Sequence, residues 1–353
     1  MRNIKKSKPG QRWKSFLFGL ASLGLVALTT YQLQIIPFWV SFIDSSSLIK
    51  IISYPFLACL IVLFLGLAFR LSLWLKYRPE TLKTVEPVDF PPVSVIMPAY
   101  NEEKWIGRAV ESILASDYPQ DKLELICIND GSTDSTLSVL ENLRRRDPSR
   151  IKVISFDQNR GKKEALFRGI KEASGQIIIT TDADSQLQRR AIKNLILPLL
   201  VDERVGAVAG KVAVLNENKN LMTRMLAIRY ALAFDFGRAY QSVYGGVLCC
   251  PGALSAFRKR ILLKVIHSWK RQKFLKAACQ HGEDRSLTNL ILKKGYLVKY
   301  QSNAVVNTRV PEKMSEANRM YLRWTRSAVR ESWFFARFIL LRGRRKYYLL
   351  PAI

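Results

Sequence analysis

The sequence predicts an α/β domain built on a mostly parallel sheet, carried behind apolar segments of membrane type. Two observations predict it. Four short apolar runs alternate with segments of helical character between residues 93 and 180, the pattern of strands and helices layered around a parallel sheet. Hydrophobic residues make up 48% of the 353 and crowd toward the N-terminus, so the average hides two environments.

Residues 1–14 are basic, with Arg2, Lys5, Lys6, Lys8, Arg12 and Lys14. An apolar stretch runs from Phe16 to Ile43, broken by Gln32, Gln34 and Pro37. A polar hinge at Asp44–Ser47 leads to a cleaner apolar stretch from Leu48 to Leu75. Each stretch supplies the ~20 residues that a spanning helix needs. Basic residues flank the pair on one side: the N-terminal cluster before it, and Arg70, Lys76 and Arg78 after it. The positive-inside rule then puts both ends in the cytoplasm. The expectation is an integral protein of the plasma (inner) membrane with its following domain cytoplasmic. A cleaved signal peptide is the alternative for the first stretch; its length and the second span directly after it argue against that.

Residues 79–92 are Pro-rich and polar, a linker. Strands are expected at Val93–Met97, Leu123–Ile128, Ile151–Ile154 and Gln176–Thr180, with helices at about Lys104–Ala115, Thr133–Arg146 and Lys162–Ala173. Past residue 310, Arg319, Arg323, Arg326 and Arg330 share one helical face, and Trp324, Trp333, Phe334, Phe335 and Phe338 add apolar surface. That pattern fits helices lying at a lipid interface. Tyr347–Ile353 reads as the start of another apolar span. The expected organisation is therefore 1–78 (basic segment and two membrane helices), 79–92 (linker), 93–310 (catalytic domain) and 311–353 (interfacial helices and the beginning of a span).

The formal charge of +28 points to anionic partners: acidic lipid, phosphorylated substrate or nucleic acid. No RNA-binding signature or zinc-finger spacing supports the last, so nucleic acid is not expected. Cys59, Cys127, Cys249, Cys250 and Cys279 form no CxxC pair, which argues against structural zinc. An odd count without disulfide-like spacing fits a reducing compartment. Cys59 and Cys127 read as small buried hydrophobes.

In parallel sheets ligands sit beyond the carboxyl ends of the strands. Those ends lead here into Pro98–Glu103, Asn129–Asp134, Asn159–Lys163 and Thr181–Ser185. Tyr100 can stack on a base, Asp130 can accept hydrogen bonds from base or ribose, and Lys162 can meet a diphosphate. Asp182 and Asp184 offer two carboxylates to a hard cation that takes its other ligands from phosphate. Singly, each signal has a plain alternative. Asn129–Asp134 serves equally as a turn and helix cap, and Asp182-Ala183-Asp184 as a solvated loop.

The motifs together resemble family 2 glycosyltransferases of the Rossmann-like GT-A fold, above all the processive membrane synthases: hyaluronan synthase, chitin synthase and rhizobial chitooligosaccharide synthase. They fall in that family's order over residues 93–335: Pro98-Ala99-Tyr100-Asn101-Glu102, Asn129-Asp130-Gly131-Ser132, Gly161–Leu166, Asp182–Ser185, a Gly245-Gly246…Cys249-Cys250…Phe257-Arg258 segment, Gly282–Asn289, and Leu322-Arg323-Trp324. The resemblance implies a UDP-sugar donor, UDP-N-acetylglucosamine foremost, a growing β-linked glycan as acceptor, and Mg²⁺ or Mn²⁺ as cofactor.

By the same resemblance, Tyr100, Glu102 and Asp130 would hold the uridine. Lys162 and Asp182 would lie along the nucleotide, and Asp184 would carry the metal. Gly246, Cys249 and Cys250 would line the acceptor pocket. Asp284 would be the general base, with Arg323 at the diphosphate and Trp324 at the acceptor sugar. Asp284 also suits a helix N-terminus for its charge alone, and Arg323 is one of four stripe arginines. His281, just before the acidic pair, can be a ligand or structural.

Two departures stand out. Met320 occupies the Gln position of the family's Gln-x-x-Arg-Trp motif, and Asn129 replaces the first acid of the pair before Gly131. The processive synthases have further C-terminal spans, and this sequence ends before them. The expectation is a fragment, or an enzyme that does not translocate polymer alone. Two other functions compete: transfer of one sugar to a lipid carrier, and non-enzymatic binding of anionic glycan by a basic membrane protein.

Overall fold

Residues 47–82, 89–275, 277–279 and 281–342 are described by the computed structural model. Contacts divide the chain into two units that meet between Arg70 and Leu71. The basic segment, the Phe16–Ile43 stretch and the Tyr347–Ile353 segment lie outside the described residues.

The first unit is described from α1, Ser47–Lys76, whose last turn belongs to the second unit. Within it Ser53–Lys76 is long and apolar enough to cross a membrane, with a mean hydropathy of 2.5 over its best window. Phe56, Leu60, Leu63 and Phe64 are exposed along it. Cys59 is exposed there too, against the expectation of a buried thiol. Cys127 is buried as expected, and all five thiols are free.

The second unit runs β1 (Val93–Ala99), α2 (Ile106–Leu114), β2 (Leu123–Asn129), α3 (Thr136–Arg146), β3 (Ile151–Ser155), α4 (Lys162–Glu172), β4 (Ile177–Thr180) and β5 (Gln186–Leu187). It continues through α5 (Ala191–Val201), β6 (Val205–Val214) and α6 (Leu221–Ala231), then a π-helical turn (Leu232–Arg238) into α7 (Ala239–Val243). After β7 (Ser255–Arg258), α8 (Lys259–Lys270) and the small pair β8 (Lys273–Phe274) and β9 (Ala277–Ala278) come α9 (Glu283–Lys293), β10 (Leu297–Thr308) and α10 (Met314–Arg342).

The main sheet has eight strands in the order β3-β2-β1-β4-β7-β6-β10-β5. The first four are parallel to one another, as are β6 and β10. β7 is antiparallel to both β4 and β6, and β5 to β10. All seven residues of β1 are buried, and each buried aliphatic side chain there stabilises by roughly 1.5–3 kcal/mol. Pro98 is tolerated in this central strand because pairing with β4 ends at Ile96, so its missing N–H removes no ladder bond. Helices cover the sheet through apolar stripes; α2 buries Ile106, Ala109, Val110 and Ile113, the i, i+3, i+4, i+7 spacing of one face.

Near its end α1 is anchored within the second unit. Trp74 Nε1 donates to the Asp235 carbonyl at 2.6 Å, and Tyr77 Oη donates to the Tyr300 carbonyl at 3.0 Å. At the other end of the chain, α10 is one continuous helix of 29 residues. It docks through Glu331, 2% exposed, which accepts hydrogen bonds from Gln272, Asn289 and Arg330.

Candidate functional site

Because β3, β2, β1 and β4 are parallel, their carboxyl ends share one rim, and the loops there are tied together. Asn101 Oδ1 accepts the Thr133 N–H at 2.9 Å, while the Asn101 N–H donates to Ser132 Oγ at 3.0 Å. The Glu103 carboxylate accepts the Ser135 N–H at 3.0 Å. Asp134 accepts both the N–H and the hydroxyl of Thr136. These bonds use the residues just after β2 as loop, which is why α3 starts at Thr136 and not at Thr133.

Asp130 is 3% exposed, and its two carboxylate oxygens accept the backbone N–H groups of Arg160 (2.7 Å) and Gly161 (2.9 Å). It clamps the loop after β3 to the loop after β2. Gly131 makes the clamp possible: its φ is +66°, and a Cβ there would lie 2.3 Å from the Gln158 carbonyl carbon. Tyr100, by contrast, is 46% exposed beside this rim.

Lys162 opens α4. Its Nζ lies 2.5 Å from Asp182 Oδ1 and 3.5 Å from Glu283 Oε1. Burial pulls the ammonium down, but the two carboxylates outweigh it and hold its pKa above the ordinary lysine value. Asp184 Oδ1 accepts hydrogen bonds from Ser185 Oγ (3.3 Å) and Thr308 Oγ1 (3.4 Å). Burial, and then the charge of Asp182, raises its carboxyl. Glu102 is pushed up to about 7, first by burial and then by Asp184, Asp182 and Asp134. An acidic cluster with this much mutual repulsion fits a divalent cation. Among the described residues no group of three or more His, Cys, Asp or Glu forms a ligand set, so a cation here would draw its remaining ligands from phosphate and water.

On the other flank, Asp284 lies in the first turn of α9. It accepts the Arg285 N–H at 2.7 Å and the Cys249 thiol at 3.3 Å. Trp324 packs on Tyr230 and Tyr321, with ring centroids 6.1 and 5.8 Å away. The Tyr230 hydroxyl is raised to about 12 by burial and then by the charges of Asp182 and Asp184.

The structure thus brings Lys162 onto Asp182 and Glu283, sets Glu102 near Asp182 and Asp184, and joins Cys249 to Asp284. Other expected residues sit differently. Gly246 is buried and bridges to Val298 of β10. Cys250 is 1% exposed, its N–H bonded to Thr288 Oγ1. Arg323 is exposed, and none of the ion pairs among the described residues joins it to the cluster. Met320 packs on the Val214, Leu226 and Val310 cluster, which is why an apolar side chain suits this position. His281 supplies its carbonyl to Arg330, a structural contact.

Sequence reasoning missed Glu283, Tyr230 and Thr308. Glu283 stood beside an expected base and carried its own signal. Tyr230 and Thr308 lie on α6 and β10, elements that no motif marks.

Residues 94–266 match the model of glycosyl transferase family 2. The chain carries a glycosyl transferase family 2 domain. It is 33% identical over 265 residues to an N-acetylglucosaminyltransferase of Mesorhizobium japonicum, covering 75% of this chain and 62% of that one. It is likewise 33% identical over 273 residues to an N-acetylglucosaminyltransferase of Rhizobium meliloti, covering 76% and 63%. The match thus spans about three fifths of the length of these relatives. Among solved structures it resembles a mannosyltransferase of Pyrobaculum calidifontis in complex with GDP-Man and Mn²⁺, with 25% identity, a TM-score of 0.56, and coverage of 75% of this chain and 72% of that one. The mostly parallel sheet is of the GT-A type.

Proposed function

We propose that this chain transfers N-acetylglucosamine, with inversion, from UDP-N-acetylglucosamine to the end of a β-linked glycan at the cytoplasmic face of a membrane. The observation that carries the reading is Lys162 set between Asp182 at 2.5 Å and Glu283 at 3.5 Å, the chain neighbours of the cation-type carboxylate Asp184 and the candidate base Asp284. The names of the relatives support N-acetylglucosamine as the sugar.

In this reading Asp184 holds Mg²⁺ or Mn²⁺, as the Mn²⁺ of the mannosyltransferase complex supports. When bound, the cation supplies positive charge to a departing diphosphate. Asp182 and Lys162 line the nucleotide, with Tyr100 and Glu102 at its uridine end and Asp130 holding the loops that shape it. Asp284 deprotonates the acceptor hydroxyl, and Trp324 offers its ring to the acceptor sugar. Arg323, exposed on α10, is the arginine assigned to the diphosphate. The helix Ser53–Lys76 sits in the bilayer, and α10 lies along its surface.

The test is incubation of the membrane-reconstituted protein with single and paired UDP-sugars, with and without EDTA, followed by product mass analysis. Metal-dependent extension of a glycan in N-acetylhexosamine steps is expected. A lipid-extractable monosaccharide as the sole product would instead establish transfer to a lipid carrier, and no product with any sugar would leave only a binding protein.

A further inference from the structure

Asp284 is held at both of its carboxylate oxygens. Oδ1 accepts the Arg285 N–H at 2.7 Å, and Oδ2 accepts the thiol of Cys249 at 3.3 Å. The thiol is itself fixed. Arg238 Nε donates to the Cys249 carbonyl at 3.1 Å, and the N–H of Cys250 donates to Thr288 Oγ1 at 3.0 Å. The Thr288 hydroxyl donates in turn to the Asp284 carbonyl at 2.7 Å. One hydroxyl therefore ties the Cys249–Cys250 segment to the first turn of α9. Burial, and then the charge of Asp284, pushes the Cys249 thiol up to about 12. It stays protonated at neutral pH and faces the carboxylate as a donor.

We propose that Cys249 is a positioning residue for Asp284: its S–H holds Oδ2 in one orientation toward the acceptor, and Thr288 sets the register of the two segments. The proposal rests on the reading of Asp284 as the base. A carboxylate at the start of a helix can otherwise sample several rotamers. A thiol suits the task because it donates weakly. A strong donor would orient the carboxylate equally well but would lower its basicity more. The neighbouring acid Glu283 is paired with Lys162, so adjacent acids have separate partners and separate roles.

The experiment compares Cys249→Ala, Cys249→Ser, Thr288→Val and Asp284→Asn in the full membrane-reconstituted chain, each first checked by thermal melting. Cys249→Ala should lower kcat by roughly tenfold with the donor KM within about twofold, the split expected when only a reacting group is misplaced. Cys249→Ser restores a donor and should bring kcat back to within about threefold. Thr288→Val should resemble Cys249→Ala in kcat. An Ala variant with unchanged kcat, or a Ser variant as impaired as Ala, overturns the proposal. Should Asp284→Asn retain turnover, the base reading itself fails; should it be inactive while Cys249→Ala is normal, the positioning role alone fails.

Discussion

Lys162 and Asp182 meet at 2.5 Å, joining the first residue of α4 to the loop after β4. The contact is crowded: a Cβ at Gly252 would come within 2.8 Å of the same ammonium. Removing the ammonium leaves Asp182 and Glu283 unpaired in a cluster that already repels anions. Lys162→Met should therefore raise the donor KM by about tenfold or more, since a charge-assisted contact to phosphate is lost and repulsion is gained. Titration of UDP into the variant by calorimetry checks this, and undiminished affinity would remove Lys162 from the nucleotide site.

Glu102 provides a pH prediction. Its folded-state pKa, about 7, lies above its ordinary value of 4.5. A raised carboxyl contributes stability that is fully present below the unfolded value and is lost as pH rises through the folded one. In the absence of divalent cation, the protein should lose stability between about pH 4.5 and pH 8. Glu102→Gln should melt a few degrees higher at pH 8, on the order of 2–4 °C for a domain of this size, and at the same temperature as the parent at pH 4. Melting curves across that range decide it; a variant less stable at pH 8 would contradict the clustering of charge.

Gly282 just before α9 has φ +79°, and a Cβ there would lie 2.4 Å from Ser327 Cβ on α10. Gly282→Ala meets both backbone strain and a steric clash, so it should destabilise by about 1–3 kcal/mol. It should also push the Asp284 turn away from the helix that carries Trp324. Denaturant melts report the first effect, and loss of turnover at temperatures where the variant stays folded reports the second.

Glu331 is buried on α10 with Gln272, Asn289 and Arg330 as its partners. Glu331→Ala strands three donors and should cost about 3 kcal/mol, in the range for breaking a buried ionic contact. Amide exchange should rise selectively along residues 314–342 and on α9. Exchange that rises evenly through the sheet would mean that Glu331 holds the whole domain rather than this one helix.

The four parallel strands and their loops were legible because each strand is a short apolar run closed by polar residues. Boundaries shifted where side chains took backbone partners, as Asp134 and Glu103 did in delaying α3. Strand order was not legible. β7 inserts antiparallel between β4 and β6, and nothing in Ser255–Arg258 distinguishes that placement from an edge.

What the sequence by itself determined is the chemistry on offer: an apolar helix of spanning length, a parallel half-sheet, and an ordered series of acids and bases at the strand ends. What only the tertiary structure decided is which of them meet. Asp130 reads from the sequence as a nucleotide contact, and only the fold shows that its oxygens also hold two backbone N–H groups of another loop. Cys249 and Asp284 stand 35 residues apart, and they touch because Thr288 binds one segment to the other. Local pattern sets what each element is, since it depends on neighbours along the chain. Contact between distant side chains depends on how the elements pack, and no local pattern encodes that.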